Sequence, residues 1–153
     1  MLKQLLKDIE EETLDAIIED GFKWLKKEVG DNSEVLTSLK KKSKITTPWN
    51  RRGLSVHWSY YRKNLKLKRD YLAAMHWSTN QIHLHCNKKH TLKATLEIFF
   101  HEYCHSQQNS YIYNYYSTVL KVPYDRHPLE REANEFAEKM VPRYWQENSW
   151  KFG

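Results

Sequence analysis

Glu97-Ile98-Phe99-Phe100-His101-Glu102-Tyr103-Cys104-His105 is an apolar run that ends in H-E-x-x-H. Four residues of α-helix turn through about 400°, so His101 and His105 stand one turn apart on one face, close enough for both imidazoles to reach a single ion. Two imidazoles at this spacing make half of a zinc site. Glu102 is one residue round from that face, where its carboxylate can lie beside the ion and accept a proton from water. Phe99, Phe100, Tyr103 and Cys104 carry no charge. A helix with that much apolar surface is expected to be buried against the body of a domain.

A catalytic zinc takes three protein ligands and keeps one position open, so a third ligand must come from elsewhere in the chain. Downstream, the stretch from His127 to Pro142 places Leu129, Ala133, Phe136, Ala137 and Met140 at helical spacing. This predicts a second helix with one face inward, ending by Pro142. A glutamate at its start, Glu130, would supply an oxygen ligand to the first helix, and the small Ala133 would let the two helices approach closely. His127, three residues earlier, and Glu132, two residues later, are the rival third ligands.

The pairing of H-E-x-x-H with the later E-x-E-A-N-x-F-A segment, Glu130 to Ala137, and a closing Pro142 resembles the ImmA/IrrE family of zinc metallopeptidases, which are carried by mobile elements, phages and bacterial regulators. The likeness runs from His101 to Pro142 and says nothing specific about residues 1–70. It implies a Zn²⁺ ion held by His101, His105 and Glu130 in a gluzincin-like set, with Glu102 activating water. The activity implied is hydrolysis of a peptide bond in a protein substrate, often a DNA-binding repressor or a stress regulator. Three features depart from the family. Tyr103 and Cys104 stand where members commonly have Leu and Gly, the segment from Ser106 to Leu129 is long and rich in tyrosine, and no helix-turn-helix module is read before the domain. With His127 as third ligand the site would instead resemble SprT-type proteases, which act on proteins crosslinked to DNA. A non-catalytic reading uses the same ligands, with zinc only tying two helices into a binding module.

The 153 residues are expected to form one α+β domain, long enough to bury a core without disulfides. Its parts are a helical region over about 1–42, a basic segment over 40–69 and a catalytic core over about 53–145. Cys86 and Cys104 show no C-x-x-C spacing, and no signal-peptide cleavage site is apparent, which reads as a cytoplasmic protein with reduced thiols. No run approaches the length of a membrane-spanning helix. Of the 25 Lys and Arg, 11 lie between Glu34 and Asp70 with no acid among them, leaving 14 set against all 19 acidic residues. The basic segment is either a solvated face or a patch for nucleic acid or an acidic protein.

Along the chain, Leu2, Leu5, Leu6, Ile9, Thr13, Ala16 and Ile17 trace a helical stripe to about Asp20, which Gly21 is expected to interrupt before a second short turn with Phe22, Trp24, Leu25 and Val29. Asn32 or Ser33 would cap a further helix through Lys42, and Thr46-Thr47-Pro48 reads as a connection. Strands are expected over Gly53–Tyr61, Tyr71–His76 and Gln81–Cys86, giving a small antiparallel sheet just before the H-E-x-x-H helix. In the last strand, Ile82, Leu84 and Cys86 face one way and His83 and His85 the other. Those two histidines are candidate cleft or metal residues, while His57 and His76 read as isolated. The H-E-x-x-H helix should start at Thr91 as N-cap and run to about Gln108. An aromatic loop, Ser110 to Ser117, then carries tyrosines that either pack in the core or offer a phenol to the oxyanion of an attacked carbonyl.

Overall fold

The structure is a computed structural model that describes residues 1–29, 54–60 and 73–153. The expected helix through Lys42, the connection at Thr46-Thr47-Pro48, the start of the second strand at Tyr71 and most of the basic segment lie outside those residues.

The first regular helix, α1, spans Glu11–Glu28. Glu11 and Glu12 in its first turn and Lys26 and Lys27 in its last complement the helix dipole. Leu14, Ile17, Ile18, Phe22 and Leu25 form the buried stripe. Two features correct the reading from sequence. The helix begins at Glu11 rather than Leu2, and it runs unbroken through Gly21. A methyl placed on Gly21 would lie 3.6 Å from the rings of Phe100 and Tyr144 and 3.7 Å from Phe99, so the glycine marks the point where α1 crosses the aromatic core. A glycine inside a helix costs about 1 kcal/mol. Burial of Phe22, Trp24 and Leu25 just beyond it, at about 1.5–3 kcal/mol for each large apolar side chain, outweighs that penalty.

Of the apolar residues before Glu11, Leu6 and Ile9 are buried and Leu2 and Leu5 half-buried, but in extended chain and a short 3-10 turn at Leu6–Asp8. Leu5 bridges Thr91 in antiparallel fashion. The Leu6 and Lys7 N–H groups donate to the carbonyls of His90 (2.9 Å) and Lys88 (3.1 Å). In return, Leu92 and Lys93 donate to Gln4 and Leu2 at 2.9 Å. The second helix, α2, is Leu92–Ser106, and Thr91 caps it by accepting the Ala94 N–H at 3.1 Å. Three N–H groups that the first turn of any helix leaves without intrahelical partners are thereby satisfied, two of them by the N-terminal segment.

Strands β1 (Ser55–Tyr60), β2 (Ala73–His76) and β3 (Gln81–Cys86) form a sheet in the order β1-β3-β2. The sheet is mixed rather than antiparallel. β2 and β3 pair antiparallel across the turn at Trp77–Asn80, where Asn80 takes φ 56°, a left-handed conformation that asparagine tolerates well. β1 lies on the other side of β3 and runs parallel to it, Ser55 opposite Gln81 and His57 opposite His83. Adjacency in sequence suggested hairpins throughout, but it does not dictate pairing between β1 and β3. The alternation in β3 is as expected, with Ile82, Leu84 and Cys86 buried.

After α2 the aromatic stretch is helical rather than a loop. It comprises α3 (Ser110–Asn114) and a π-helical turn at Tyr115–Val119. Asn109 starts α3 by accepting the N–H groups of Tyr111 and Ile112 at 2.8 and 3.2 Å. A 3-10 turn at Tyr124–Arg126 leads to α4, Pro128–Asn148, with Pro128 in the first turn, where its missing N–H does no harm. α4 passes straight through Pro142 instead of stopping there. Met140 and Val141 before it and Tyr144 after it are all buried. Tertiary packing on both sides of the proline overrides the local penalty of about 3 kcal/mol.

α1, the sheet, α2 and α4 share one hydrophobic core, centred on Phe99, Phe100, Phe136 and Tyr144. α2 packs along α4, the most extensive contact between the described helices. α1 is fastened to α4 by polar links at the core's edge. Tyr144 donates to Asp20 at 2.9 Å, Trp24 to Glu147 at 2.7 Å and Arg143 to Glu28 at 2.8 Å. Among the described residues, no helix is long and apolar enough to cross a membrane.

Candidate metal centre

His101 and His105 project from the middle and last turn of α2. Glu130 projects from the first turn of α4, which lies across it. The His101 and His105 Nε2 atoms are 3.0 Å apart, and His101 Nε2 is 3.2 Å from Glu130 Oε1. Glu130 Oε1 also touches His105 Nε2. Bonds of about 2.0–2.1 Å to a tetrahedral Zn²⁺ put neighbouring ligand atoms about 3.3 Å apart, so the donor set and its His101–His105 and His101–Glu130 spacings suit such an ion, while Glu130 and His105 would have to part slightly to admit it. His101, Glu102 and His105 also bring one ligand atom each within 4.8 Å of one another. The three converging side chains are well covered, at 12% exposure for His101, 6% for His105 and 3% for Glu130.

A buried carboxylate is expensive unless partnered. Burial pushes the Glu130 carboxyl up, but hydrogen bonds from His101 and His105, the charge on His105 and the Tyr124 phenol outweigh that effect and hold it well below the usual carboxylate range. Glu130 is thus kept ionised, the form in which a carboxylate binds metal. Glu102 behaves in the opposite way. Its pKa is raised, first by burial and further by the charge of Glu130, against the opposing pull of His105, His101 and a hydrogen bond from the Met75 backbone. The two carboxylates occupy one site with opposite tendencies, one to stay charged and one to hold a proton.

The orientation of His105 is set by a residue that the sequence reading passed over. Gln108 donates through its amide nitrogen to the Leu129 carbonyl (2.8 Å) and the Glu132 carboxylate (3.2 Å), which aims its amide oxygen at His105 Nδ1, 2.6 Å away. An amide oxygen can only accept, so Nδ1 carries a proton; Nε2, which donates to Glu130, would offer its lone pair at the convergence point once its own proton is displaced by an ion. Burial works to lower the His105 pKa, but its bond to Glu130 and the charges of Glu102 and Glu130 raise it overall. The only trace of Gln108 in the sequence is its place three residues after His105, which puts both on one side of the chain.

The two rival candidates have partners elsewhere. Glu132 is the acceptor for Gln108. His127 is the N-cap of α4, where its Nδ1 accepts the Leu129 N–H at 3.2 Å. Its Nε2 lies 3.1 Å from the Tyr113 carbonyl and 3.0 Å from the Ser117 hydroxyl. Both ring nitrogens are engaged away from the other histidines. Its ring stacks on Tyr113, with centroids 4.1 Å apart.

The convergence point opens into a cleft of about 670 Å³ between β2 and the two helices. Ala73, Ala74 and Met75 of β2 form one wall, and Tyr113 and Tyr124 line it as well. Both phenols lie close enough to Glu130 to feel its charge. Burial, with the charges of Glu130 and Glu102, pushes the Tyr113 hydroxyl up to about 12, and Tyr124 is raised too. These two are the cleft-facing members of the tyrosine-rich stretch. Trp77, in the β2–β3 turn, donates to the His105 carbonyl at 3.1 Å and packs against Tyr113, closing one side of the cleft. His83 and His85 stand on the outer face of β3, opposite its core-facing residues, and neither lines this cleft.

No family model, no curated protein and no solved structure matches this chain.

Proposed function

We propose that the chain is a zinc-dependent peptidase, akin to the ImmA/IrrE family it resembles in sequence, with a zincin-like arrangement of sheet and paired helices. The carrying observation is the meeting of His101, His105 and Glu130 from two helices at the floor of a cleft, with Glu102 beside them. Zn²⁺ held by those three side chains would supply Lewis acidity, polarising a scissile carbonyl and making water a better nucleophile near neutral pH. Glu102 takes the proton of the attacking water and delivers it to the leaving amine, a role suited to a carboxyl whose surroundings favour proton uptake. Tyr113 and Tyr124 face the same space as donors for the negative charge that builds on the carbonyl oxygen.

An extended protein segment is the substrate that this cleft fits. Among the described residues β2 is an edge strand in the order β1-β3-β2, and its residues Ala73 to Met75 wall the cleft, so a substrate strand can lie along it and pair with its backbone. A DNA-binding repressor or regulator in the cytoplasm is the target implied by the family likeness. Direct contact of residues 40–69 with nucleic acid is a separate proposal, resting on their charge alone. It predicts DNA affinity that falls steeply with added salt.

The test compares wild type with Glu102→Gln for bound zinc and for new N-termini generated in a complete bacterial protein extract. The variant should hold zinc as wild type does and generate none of the new termini. Identical cleavage by both proteins would refute the role of Glu102. A protein that cleaves nothing in either form, keeps its zinc and unfolds when chelated would be the binding module instead.

A further inference from the structure

His57, His76 and His83 gather on the outer face of the sheet, away from the cleft. His57 and His83 are register partners on parallel strands, and their rings stack with centroids 5.3 Å apart and planes 26° from parallel. Each turns its Nε2 back along its own strand to the residue two positions earlier, His57 to Ser55 and His83 to Gln81, both at 3.0 Å. Ser55 and Gln81 are themselves register partners. The two nitrogens therefore lean the same way. His76 pairs directly with Gln81 from the antiparallel side, and directly opposed residues share a face. Its ring meets His83 edge-on at 4.8 Å. Three imidazoles from three strands thus crowd one corner of the sheet.

We infer that His57, His76 and His83 form a second metal site, taking a divalent first-row transition ion such as Ni²⁺, Cu²⁺ or Zn²⁺ through their ring nitrogens. Imidazole is a favoured ligand for these ions, with Cu²⁺ the tightest in the usual order. His57 and His76 are exposed, so their rings can rotate onto an ion and exchange their present contacts for metal bonds. Burial and the proximity of His76, His57 and His85 lower the His83 pKa, which favours the neutral, ligating form. An ion there would tie β1 and β2 to β3 and so hold the edge strand that walls the cleft. The site is independent of the chemistry proposed for His101, His105 and Glu130.

The test uses the full chain carrying His101→Ala and His105→Ala, which removes the helix ligands, titrated with Ni²⁺ or Cu²⁺ alone. One equivalent should bind, with the ring-proton resonances of His57, His76 and His83 broadening together in the magnetic spectrum. Adding His83→Ala should weaken binding at least about tenfold, since even partners of ligands contribute that much. An unchanged isotherm in the His83→Ala background, or broadening confined to His85, His90 or His127, overturns the site. Should the double variant not fold, wild type is compared with His57→Ala, an exposed position. Two equivalents should fall to one, and retention of both overturns the inference. Loss of the helix equivalent with the sheet-face ion kept would overturn the inference equally.

Discussion

Gln108 shows how one side chain can set the orientation of a candidate ligand. His101 and His105 are placed on one face by helical periodicity alone, but periodicity says nothing about which nitrogen carries the proton. That is settled by an amide whose own nitrogen is held by Leu129 and Glu132, on the other helix. Gln108→Leu, similar in volume, removes the acceptor from His105 Nδ1 and leaves buried polar groups unpaired. Zinc affinity, measured by competition with a chelator, should fall about 10–100-fold. Gln108→Glu keeps an acceptor at that place and should recover part of the loss. Equal affinity in Gln108→Leu and wild type would show that Gln108 does not position the ligand. His127 makes the complementary point. Its type and spacing made it a rival ligand, and only its use of both ring nitrogens elsewhere sets it aside.

At the level of elements, two departures from the sequence reading share one physical origin. Gly21 and Pro142 are strong local breakers, yet α1 and α4 continue through them because aromatic and aliphatic neighbours on both sides are buried. The space at Gly21 accommodates a methyl at ordinary contact distance. Gly21→Ala should therefore stabilise the protein by about 0.5–1 kcal/mol, through higher helix propensity and a less flexible unfolded chain. The melting temperature should rise by about 2–4 °C per kcal/mol, read by calorimetry. A fall would mean that α1 and the Phe99, Phe100 and Tyr144 rings cannot accept even that methyl. The apolar residues at the N-terminus misled in the other direction. Leu2, Leu5, Leu6 and Ile9 match a helical stripe, but Leu5 is recruited as a bridge to Thr91 and the backbone around it caps α2. Burial explains the pattern equally well in either conformation, and hydrogen bonds to a distant segment chose between them.

For the molecule as a whole, the N-terminal segment joins the outermost part of the chain to the helix that carries the site. Removing residues 1–7 withdraws the partners of the Leu92 and Lys93 N–H groups and strips fully buried Leu6 from the core. Stability should drop by more than about 2 kcal/mol, seen as a lower urea midpoint. An unchanged midpoint would show that α2 needs no such anchor. The placing of the two histidines on one helix face and of the helix and strand faces around them was legible because each rests on a short-range rule. Helical spacing puts His101 and His105 on one face, the apolar pattern of Leu129 to Met140 makes a second helix, and alternation turns Ile82, Leu84 and Cys86 inward. Such regularities follow from the geometry of a helix or strand and need no knowledge of the rest of the chain. The parallel placing of β1, the gathering of His57, His76 and His83, and the meeting of Glu130, rather than His127, with His101 and His105 depend on which distant segments meet. Those meetings are fixed by shared burial and hydrogen bonding across the fold, and local spacing carries no record of them.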